Sequence, residues 1–326
     1  MLKKLIALLL AALMVLFMVS GCGTKGTSPD PSKLKIVATI FPAHDWVENI
    51  LGEKAADAEL TLLLDDGVDM HSYQPTTDDI IKISTCDIFI YVGGTSDLWV
   101  KDALKTATNK NMVVINLLDT LGEAVKEEEL KEGMTHGNID KHEEENDHEL
   151  DEHVWLSLKN AQTFCSLIAQ KLGEYDAANA AAYTKNAADY INALNALDGQ
   201  YQQAVDTAMN KTLLFGDRFP FRYLVDNYGL DYYAAFPGCS AETEASFETI
   251  IFLANKMNEL SLKNVMVIDG SKQSIATTII KNTTTKDQSI LVLDSLQSVS
   301  SADIAGGATY LSIMEKNLTI LKAALQ

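Results

Sequence analysis

The stretch "DAANAAAYTKNAADYINALNALDGQYQQAVDTAMN", from Asp176 to Asn210, decides the fold of this chain. Ala, Leu, Tyr, Ile and Val recur in it at steps of three and four residues, with no proline and a single glycine. This period predicts one amphipathic helix. At 1.5 Å per residue such a helix would be about 50 Å long. We interpret it as a rigid connection between two halves of the chain.

Each half of the chain contains four short segments that are rich in β-forming residues. The predicted strands are 35–40, 59–64, 87–92 and 112–117 on the N-terminal side, and 212–216, 231–236, 264–268 and 289–293 on the C-terminal side. Helical patterns lie between them, and this alternation is typical of parallel sheets. The sequence therefore predicts an α/β fold with two lobes, each a roughly four-stranded parallel sheet with flanking helices, joined by one long rigid helix.

The first 22 residues, "MLKKLIALLLAALMVLFMVSGC", have the pattern of a lipoprotein signal peptide. "VSGC" resembles a bacterial lipobox, so we expect lipidation at Cys22 and an extracytoplasmic chain anchored to the cell membrane. A transmembrane anchor is the alternative, because the apolar run from Leu5 to Val19 is nearly long enough to cross a bilayer. Residues 23–33 predict a flexible tether.

The remaining chain divides into an N-terminal lobe (34–175), the linking helix (176–210) and a C-terminal lobe (211–326). The net charge is −19, from 26 Lys and Arg against 45 Asp and Glu. Such a surface repels phosphate backbones and attracts cations, so we exclude nucleic acid as a partner. Residues 123–152 are the most acidic segment, and a run of like charge without apolar periodicity predicts a mobile loop.

This acidic loop is also rich in histidine. His136, His142 and His148 lack apolar neighbours, and we interpret them as auxiliary loop ligands that bind a metal ion weakly and exchangeably. A spacer that only keeps the surface hydrated is the alternative. His153 differs, because "HVWLS" returns to apolar sequence at once, which indicates that it is held at the start of a helix.

Three cysteines follow Cys22, at positions 86, 165 and 239. An odd number at wide spacing predicts no disulfide framework, and a thiolate metal site would normally show a C-x-x-C pair. We interpret Cys86, Cys165 and Cys239 as small buried hydrophobic residues or at most one disulfide, and assign them no role.

Polar side chains follow several of the predicted strands. His71 comes after the second strand and His153 closes the loop after the fourth, while Asp217, Asp269 and Asp294 directly follow strands of the second half. In open parallel sheets ligands bind beyond the carboxyl ends of strands. Two imidazoles with carboxylates suit a divalent transition metal, although each aspartate alone could be a helix cap or turn residue.

Several blocks resemble, in order, the zinc and manganese solute-binding lipoproteins of ABC transporters. They include "KIVATIFPAHDWVENILG", "LLLDDGVDMHSYQPTTDDIIKI", "DEHVWLSLKNA" and "LVLDSL". The resemblance implies two α/β lobes joined by a long helix, with the metal held between them and an ABC transporter permease as partner. It also implies His71 as first ligand, His153 as second, and a carboxylate from Asp294 or, alternatively, Asp269.

The chain departs from the family at the third ligand position. The family usually has a histidine there, or a glutamate in manganese binders, but "GDRFPFRYLVDNYGL" places Arg218 at this position. An arginine cannot bind a metal ion. Either Asp217 supplies the ligand, or Glu242 or Glu244 does, or Arg218 is ion-paired and the site has fewer protein ligands.

These observations together predict a monomeric binding protein that captures a divalent transition metal, zinc above all, and delivers it to an ABC importer. Mn²⁺ or Fe²⁺ is the alternative cargo, since two histidines with carboxylates suit either ion. A secreted metallohydrolase is a second reading, but the chain has no H-E-x-x-H pair and no G-x-S-x-G motif. We therefore predict no enzymatic activity. Cell adhesion is a role that the family implies for some members.

Overall fold

A computed structural model describes residues 33–135, 149–240 and 244–326. In these residues the chain forms two four-stranded sheets, and every strand pair is parallel. The first sheet comprises Leu34–Ala38 (β1), Ala58–Leu62 (β2), Ile88–Tyr91 (β3) and Val113–Asn116 (β4). The second comprises Thr212–Phe219 (β5), Asp231–Pro237 (β6), Asn264–Ile268 (β7) and Ser289–Leu293 (β8). The predicted α/β architecture with two lobes is confirmed.

Helices flank both sheets. Those of the first lobe are Phe41–Leu51 (α1), Thr77–Thr85 (α2), Val100–Thr106 (α3), Leu117–Leu121 (α4) and Leu158–Tyr175 (α5). The linking helix is Ala180–Asp206 (α6). Those of the second lobe are Arg222–Tyr228 (α7), Phe247–Glu259 (α8), Ser274–Asn282 (α9), Ser301–Ala305 (α10) and Tyr310–Ala324 (α11). None of the helices in the described ranges is both long and apolar enough to cross a bilayer. The predicted signal peptide, with Cys22, lies outside these ranges.

The two sheets have equivalent strand orders, β2-β1-β3-β4 and β6-β5-β7-β8. In each sheet the second strand lies on one side of the first strand, and the third and fourth strands lie on the other side. Open α/β sheets form a binding crevice where the strand order reverses in this way, at the carboxyl ends of the strands. One strand differs from the prediction. β5 continues to Phe219 with a register shift between Phe215 and Arg218, so Asp217 lies inside the strand and does not follow it.

Helix α6 joins the lobes as one continuous element. Its 27 residues make it about 40 Å long. Its buried face repeats at three- and four-residue steps and comprises Tyr183, Ala187, Tyr190, Leu194, Leu197, Tyr201 and Val205. The Tyr190 hydroxyl donates to Asp45 of the first lobe (2.9 Å), and the Tyr201 hydroxyl donates to the Met314 carbonyl of the second (2.7 Å). The helix is therefore fixed to both lobes.

The lobes also share a hydrophobic core. Trp155 of the first lobe donates its indole N–H to the Ser295 carbonyl of the second (2.9 Å), and Tyr310 of α11 donates its hydroxyl to the Trp155 carbonyl (2.7 Å). One apolar cluster includes residues of both lobes, and a smaller one lies within the second lobe. Every residue of these clusters falls between positions 34 and 326, so this part of the chain contains the complete described core.

The described ends of the predicted acidic loop are packed against the protein. Residues 123–135 and 149–152 are described, and Glu127 and Leu150 form an antiparallel bridge. Lys131 pairs with Asp231, and the Thr135 N–H donates to the Ala235 carbonyl (2.9 Å) of β6. Of the lysines in this segment, the two that the structure describes pair with acidic residues of the second lobe, Lys126 with Asp226 and Lys131 with Asp231. The prediction of a mobile loop stays a prediction for residues 136–148, which lie outside the described ranges. His136, His142 and His148 lie outside the described residues.

The buried carboxyl of Asp45 makes the stability of this fold depend on pH. Burial raises the pKa of Asp45 from 3.8 to about 6, although the Tyr190 hydroxyl favours the ionised form. Because the folded pKa is the higher one, protonation stabilises the fold as pH falls through about 6. We expect the unfolding free energy of wild type, relative to Asp45→Asn, to increase by about 1 kcal/mol between pH 7 and pH 5. Urea unfolding of both proteins at the two pH values measures this, and equal pH profiles would contradict it.

Candidate metal centre

His71 lies in a short turn that follows β2. The turn, Met70–Ser72, is capped by the Asp69 side chain, which accepts a hydrogen bond from the His71 N–H (3.0 Å). The Nδ1 atom of His71 is 2.8 Å from Ser96 Oγ, which leaves Nε2 facing the space between the lobes. Burial and the neighbouring His153 lower the pKa of His71 to about 3. The imidazole is therefore neutral at pH 7, the state that binds metal ions.

His153 is fully buried at the start of the turn Val154–Leu156. The carboxylate of Asp151 accepts from its backbone N–H (2.9 Å) and lies 3.1 Å from its Nδ1. A carboxylate at Nδ1 orients the ring and leaves Nε2 as the free ligand atom. Asp151 was not among the residues that the sequence indicated, because its role depends on this contact within one turn.

The two imidazoles face each other. The Nε2 atoms of His71 and His153 are 3.1 Å apart, and the ring centroids are 5.1 Å apart. Two nitrogens bound to one tetrahedral zinc ion at about 2.05 Å would be about 3.3 Å apart. The geometry of the pair therefore fits a single shared ion with little rearrangement. The two histidines that the sequence indicated are brought together by the fold.

A third ligand type lies beside this pair. One ring nitrogen of each histidine and the Cys239 Sγ all lie within 4.8 Å of one another. No other group of three or more His, Cys, Asp or Glu side chains within the described ranges is arranged closely enough to hold a metal ion. Cys239 lies two residues after the end of β6. The rule that ligands bind beyond the carboxyl ends of strands would therefore have indicated it, if the rule had been applied to cysteine as well as to histidine and aspartate. All three described cysteines are free, and Cys86 and Cys165 are buried, which agrees with their interpretation as small buried hydrophobic residues.

Arg218 is ion-paired in this structure. Its guanidinium donates to the Asp69 carboxylate and, at 3.4 Å, to the Ser240 carbonyl. Burial opposes ionisation of Asp69, but the Arg218 charge and hydrogen bond hold the pKa of that carboxyl below its usual value. Because Asp69 also caps the turn of His71, the pair connects the second lobe to a ligand-bearing turn of the first.

The predicted carboxylate ligands do not join the group of three. Asp294 accepts from the Leu296 N–H (2.8 Å), and Asp269 accepts from the N–H and the hydroxyl of Ser295, both at 2.7 Å. Burial and the nearby Asp269 raise the pKa of Asp294 to about 6. These two carboxylates therefore lie side by side at the ends of β7 and β8.

Three further candidates for the missing ligand have different positions. Asp217 accepts the N–H of Arg218 through Oδ1 (2.9 Å), and its Oδ2 is buried without a hydrogen-bond partner in the described part of the chain. Glu244 is exposed. Glu242 lies outside the described residues.

A buried carboxylate supports the turn that holds His71. Glu152 accepts from the Ser96 N–H (2.9 Å) through Oε1, and its Oε2 lies 3.6 Å from His71 Nδ1. Gly94 permits this approach, because its φ is +79° and a Cβ there would lie 2.2 Å from the Glu152 carboxylate. Ser96 and Glu152 thus lie beside Nδ1 of His71, just as Asp151 lies beside Nδ1 of His153.

The fold and the site define a class: a two-lobed α/β binding protein with a rigid linking helix and an imidazole pair buried between the lobes. Residues 36–324 match the ZnuA family, described as zinc-uptake complex component A, periplasmic. The chain belongs to this family, and the resemblance noted in the sequence is confirmed.

Individual relatives agree with this assignment. The chain is 32% identical over 320 residues to the zinc-binding lipoprotein AdcA of Streptococcus pneumoniae, which covers 98% of this chain and 60% of that protein. It is 29% identical to the high-affinity zinc uptake system protein ZnuA of Bacillus subtilis, over 94% of both chains. The structure of the Zn(II)-bound ZnuA-like domain of Streptococcus pneumoniae AdcA superposes with a TM-score of 0.69 at 26% identity, over 90% of this chain and 99% of that domain. This chain thus spans about 60% of the length of its AdcA relatives.

Proposed function

We propose that this protein binds one divalent zinc ion between its lobes and delivers it to an ABC importer. The observation that carries the proposal is the buried pair of imidazoles, His71 and His153, whose Nε2 atoms are 3.1 Å apart. Zinc prefers nitrogen and sulfur ligands in tetrahedral geometry, and the pair offers two of its four positions. The zinc-binding relatives, the family description and the closeness of a Zn(II)-bound structure support this cargo.

The cargo ion is shielded from solvent by the proposed site. His153 is fully buried, and the His71 side chain is only 9% exposed. A carrier needs such a site because exclusion of water strengthens binding and hinders exchange. A hydrolase, in contrast, needs an open metal position for an activated water. The burial therefore favours a binding protein without enzymatic activity.

We further propose that the chain acts as an extracytoplasmic monomer, lipid-anchored to the cell membrane at Cys22, with an ABC permease as its partner. The lipobox-like "VSGC" and the names of lipoprotein relatives support the anchor. Asp294 is the carboxylate that we propose as a further ligand, with Asp269 as its alternative. Both directly follow strands of the second lobe, and His71 lies in the loop that follows β2 of the first.

Metal titration tests the proposed cargo. We expect the chain from residue 24 onward, which contains the complete described core, to bind one Zn²⁺ per molecule with at least about 100-fold preference over Mn²⁺. The reason is that imidazole ligands suit zinc, whereas manganese prefers oxygen ligands. Competition against a chromophoric chelator measures both affinities. Equal affinity for the two ions, or tighter binding of Mn²⁺, would assign a different cargo.

A genetic experiment tests delivery. A strain of the source organism without this gene should grow poorly when zinc is limiting, and added zinc should restore growth. The intact gene should restore growth at limiting zinc, and a gene with Cys22→Ala should restore it less well if the lipid anchor holds the protein near its permease. Normal growth of the deletion strain at limiting zinc, with no other zinc-binding lipoprotein expressed, would contradict the transport role.

A further inference from the structure

We infer that the Cys239 thiolate is the third protein ligand of the zinc ion, in place of the histidine or glutamate that the sequence resemblance implies at the position of Arg218. This inference rests on the proposed function, since it names a ligand of the same site. The sequence offered carboxylates for this position, but the fold brings a sulfur atom to the histidine pair. Cys239 Sγ and a ring nitrogen of each histidine all lie within 4.8 Å of one another.

The distances suit a shared ion after a small contraction. With zinc–sulfur at about 2.3 Å and zinc–nitrogen at about 2.05 Å, a tetrahedral site would place sulfur about 3.6 Å from each nitrogen. The two Nε2 atoms already lie 3.1 Å apart. The sulfur atom lies within 4.8 Å of a ring nitrogen of each histidine, so each of these distances needs to shorten by at most about 1.2 Å for the three atoms to share one ion.

A glycine before Cys239 allows the backbone to approach His153 closely. The preceding residue is Gly238, and a Cβ at that position would lie 3.0 Å from Cε1 of His153 and 2.9 Å from the Phe219 carbonyl oxygen. Any larger residue would push this chain segment away from the imidazole. Gly238 thus permits a close approach that places the next side chain beside the histidine pair.

Two hydrogen bonds hold the Cys239 segment, one to each lobe. The Cys239 N–H donates to Glu128 Oε1 of the first lobe (2.7 Å). The carbonyl of the next residue, Ser240, accepts from Arg218 at 3.4 Å. Arg218 is also paired with Asp69, the residue that caps the turn of His71. Arg218 therefore acts as a positioning residue that connects the cysteine segment to the histidine turn, with its charge compensated by Asp69.

The chemistry of the ligand fits zinc. When the sulfur–zinc bond forms, the Cys239 thiol releases its proton to solvent and the thiolate supplies the electron pair. Two nitrogens and one sulfur leave a fourth position for a carboxylate or water. A soft thiolate favours zinc over the harder manganese ion. Cys239 is thus the residue that we expect to determine metal selectivity.

Cobalt spectroscopy tests the ligand directly. With Co²⁺ added to the chain from residue 24 onward, we expect a sulfur-to-cobalt charge-transfer absorption in the near ultraviolet. The band should persist in Cys86→Ala and Cys165→Ala, whose cysteines are fully buried elsewhere, and disappear in Cys239→Ala and Cys239→Ser. Wild-type protein that binds Co²⁺ without this band would overturn the inference.

The same variants give the selectivity. We expect Cys239→Ala and Cys239→Ser to weaken Zn²⁺ binding by at least about 100-fold, as loss of a ligand should exceed the 10- to 100-fold effect of outer-shell changes. Mn²⁺ binding should change by less than about 10-fold, since manganese gains little from sulfur. Unchanged zinc affinity in both variants would overturn the inference.

An experiment on unaltered protein removes any dependence on the folding of variants. Zn²⁺ should slow the alkylation of Cys239 by iodoacetamide, as measured by mass spectrometry of its peptide, and an equal rate with and without zinc would overturn the inference. Failure of the proposed function has a different result, because wild type would then not bind zinc at all. If wild type binds zinc and loses it only on replacement of His71 and His153, the cysteine inference alone fails.

Discussion

Replacement of both His71 and His153 by alanine should abolish tight zinc binding. The two Nε2 atoms lie 3.1 Å apart, and no other group of ligands in the described ranges is arranged to replace them. We expect the double variant to bind Zn²⁺ at least about 1,000-fold more weakly than wild type, because it loses two of the four ligand positions of a tetrahedral ion. Chelator competition gives the affinity ratio.

Thermal unfolding gives a second measurement of the same change. A ligand that binds only the folded state stabilises it by about 4.1 kcal/mol at a free concentration of 1,000 times its Kd. Wild type should therefore unfold at a higher temperature when zinc is added, and the double variant should not. The comparison with and without zinc within each protein removes the effect of the cavity that alanine leaves at the buried His153.

A matched control distinguishes the buried pair from the acidic loop. The triple variant His136→Ala, His142→Ala and His148→Ala removes more imidazoles than the double variant but leaves the pair intact. It should keep wild-type affinity for the first zinc ion and lose only weak additional binding. If the triple variant loses tight binding and the double variant keeps it, the loop is the zinc site and our assignment of the pair is wrong.

Much of the fold could be predicted because apolar periodicity is a local property of the sequence. The bounds of β7 and β8 coincide with the predicted ranges, since each is a short apolar run between polar residues. β5 was predicted too short. Its last residues include Asp217 and Arg218, which look like the end of a strand, and their place in the sheet depends on pairing with β6. That pairing is a tertiary contact, and no local pattern predicts it.

The site was predictable only in part, for a similar reason. His71 and His153 follow strands and lie in distinctive motifs, so the sequence indicated both. Cys239 was missed because cysteines were judged by their spacing to other cysteines, although its neighbours in the fold are histidines. The pairing of Arg218 with Asp69 connects residues 149 positions apart. The third ligand therefore depends on contacts that only the folded chain defines.

Asp151 should affect zinc affinity strongly although we assign it no contact with the ion. Its Oδ1 accepts from the His153 N–H (2.9 Å) and lies 3.1 Å from Nδ1 of the same ring. Asp151 thereby fixes the tautomer in which Nε2 is free to bind metal. The residue is only 2% exposed, so its carboxylate is shielded from bulk water.

We expect Asp151→Asn to weaken zinc binding by about 10- to 100-fold, the usual effect of losing a carboxylate behind a ligating histidine. Asparagine keeps the shape and one acceptor oxygen, but it loses the charge that stabilises the imidazole when it is bound to a dication. Asp151→Ala should weaken binding further, because it also removes the acceptor for the backbone N–H. Chelator competition at pH 7 measures both variants.

The matched control is Asp45→Asn, which makes the same change in another buried carboxylate. Asp45 is 3% exposed and bonds to Tyr190 of the linking helix, with no described contact to either histidine. The Asp45→Asn variant should therefore have a zinc affinity within about twofold of wild type, while its unfolding should depend on pH differently. If Asp151→Asn binds zinc as tightly as Asp45→Asn does, the carboxylate is only a structural partner of the turn. If both variants lose affinity equally, the loss reflects general destabilisation of the first lobe, and the orienting role of Asp151 is wrong.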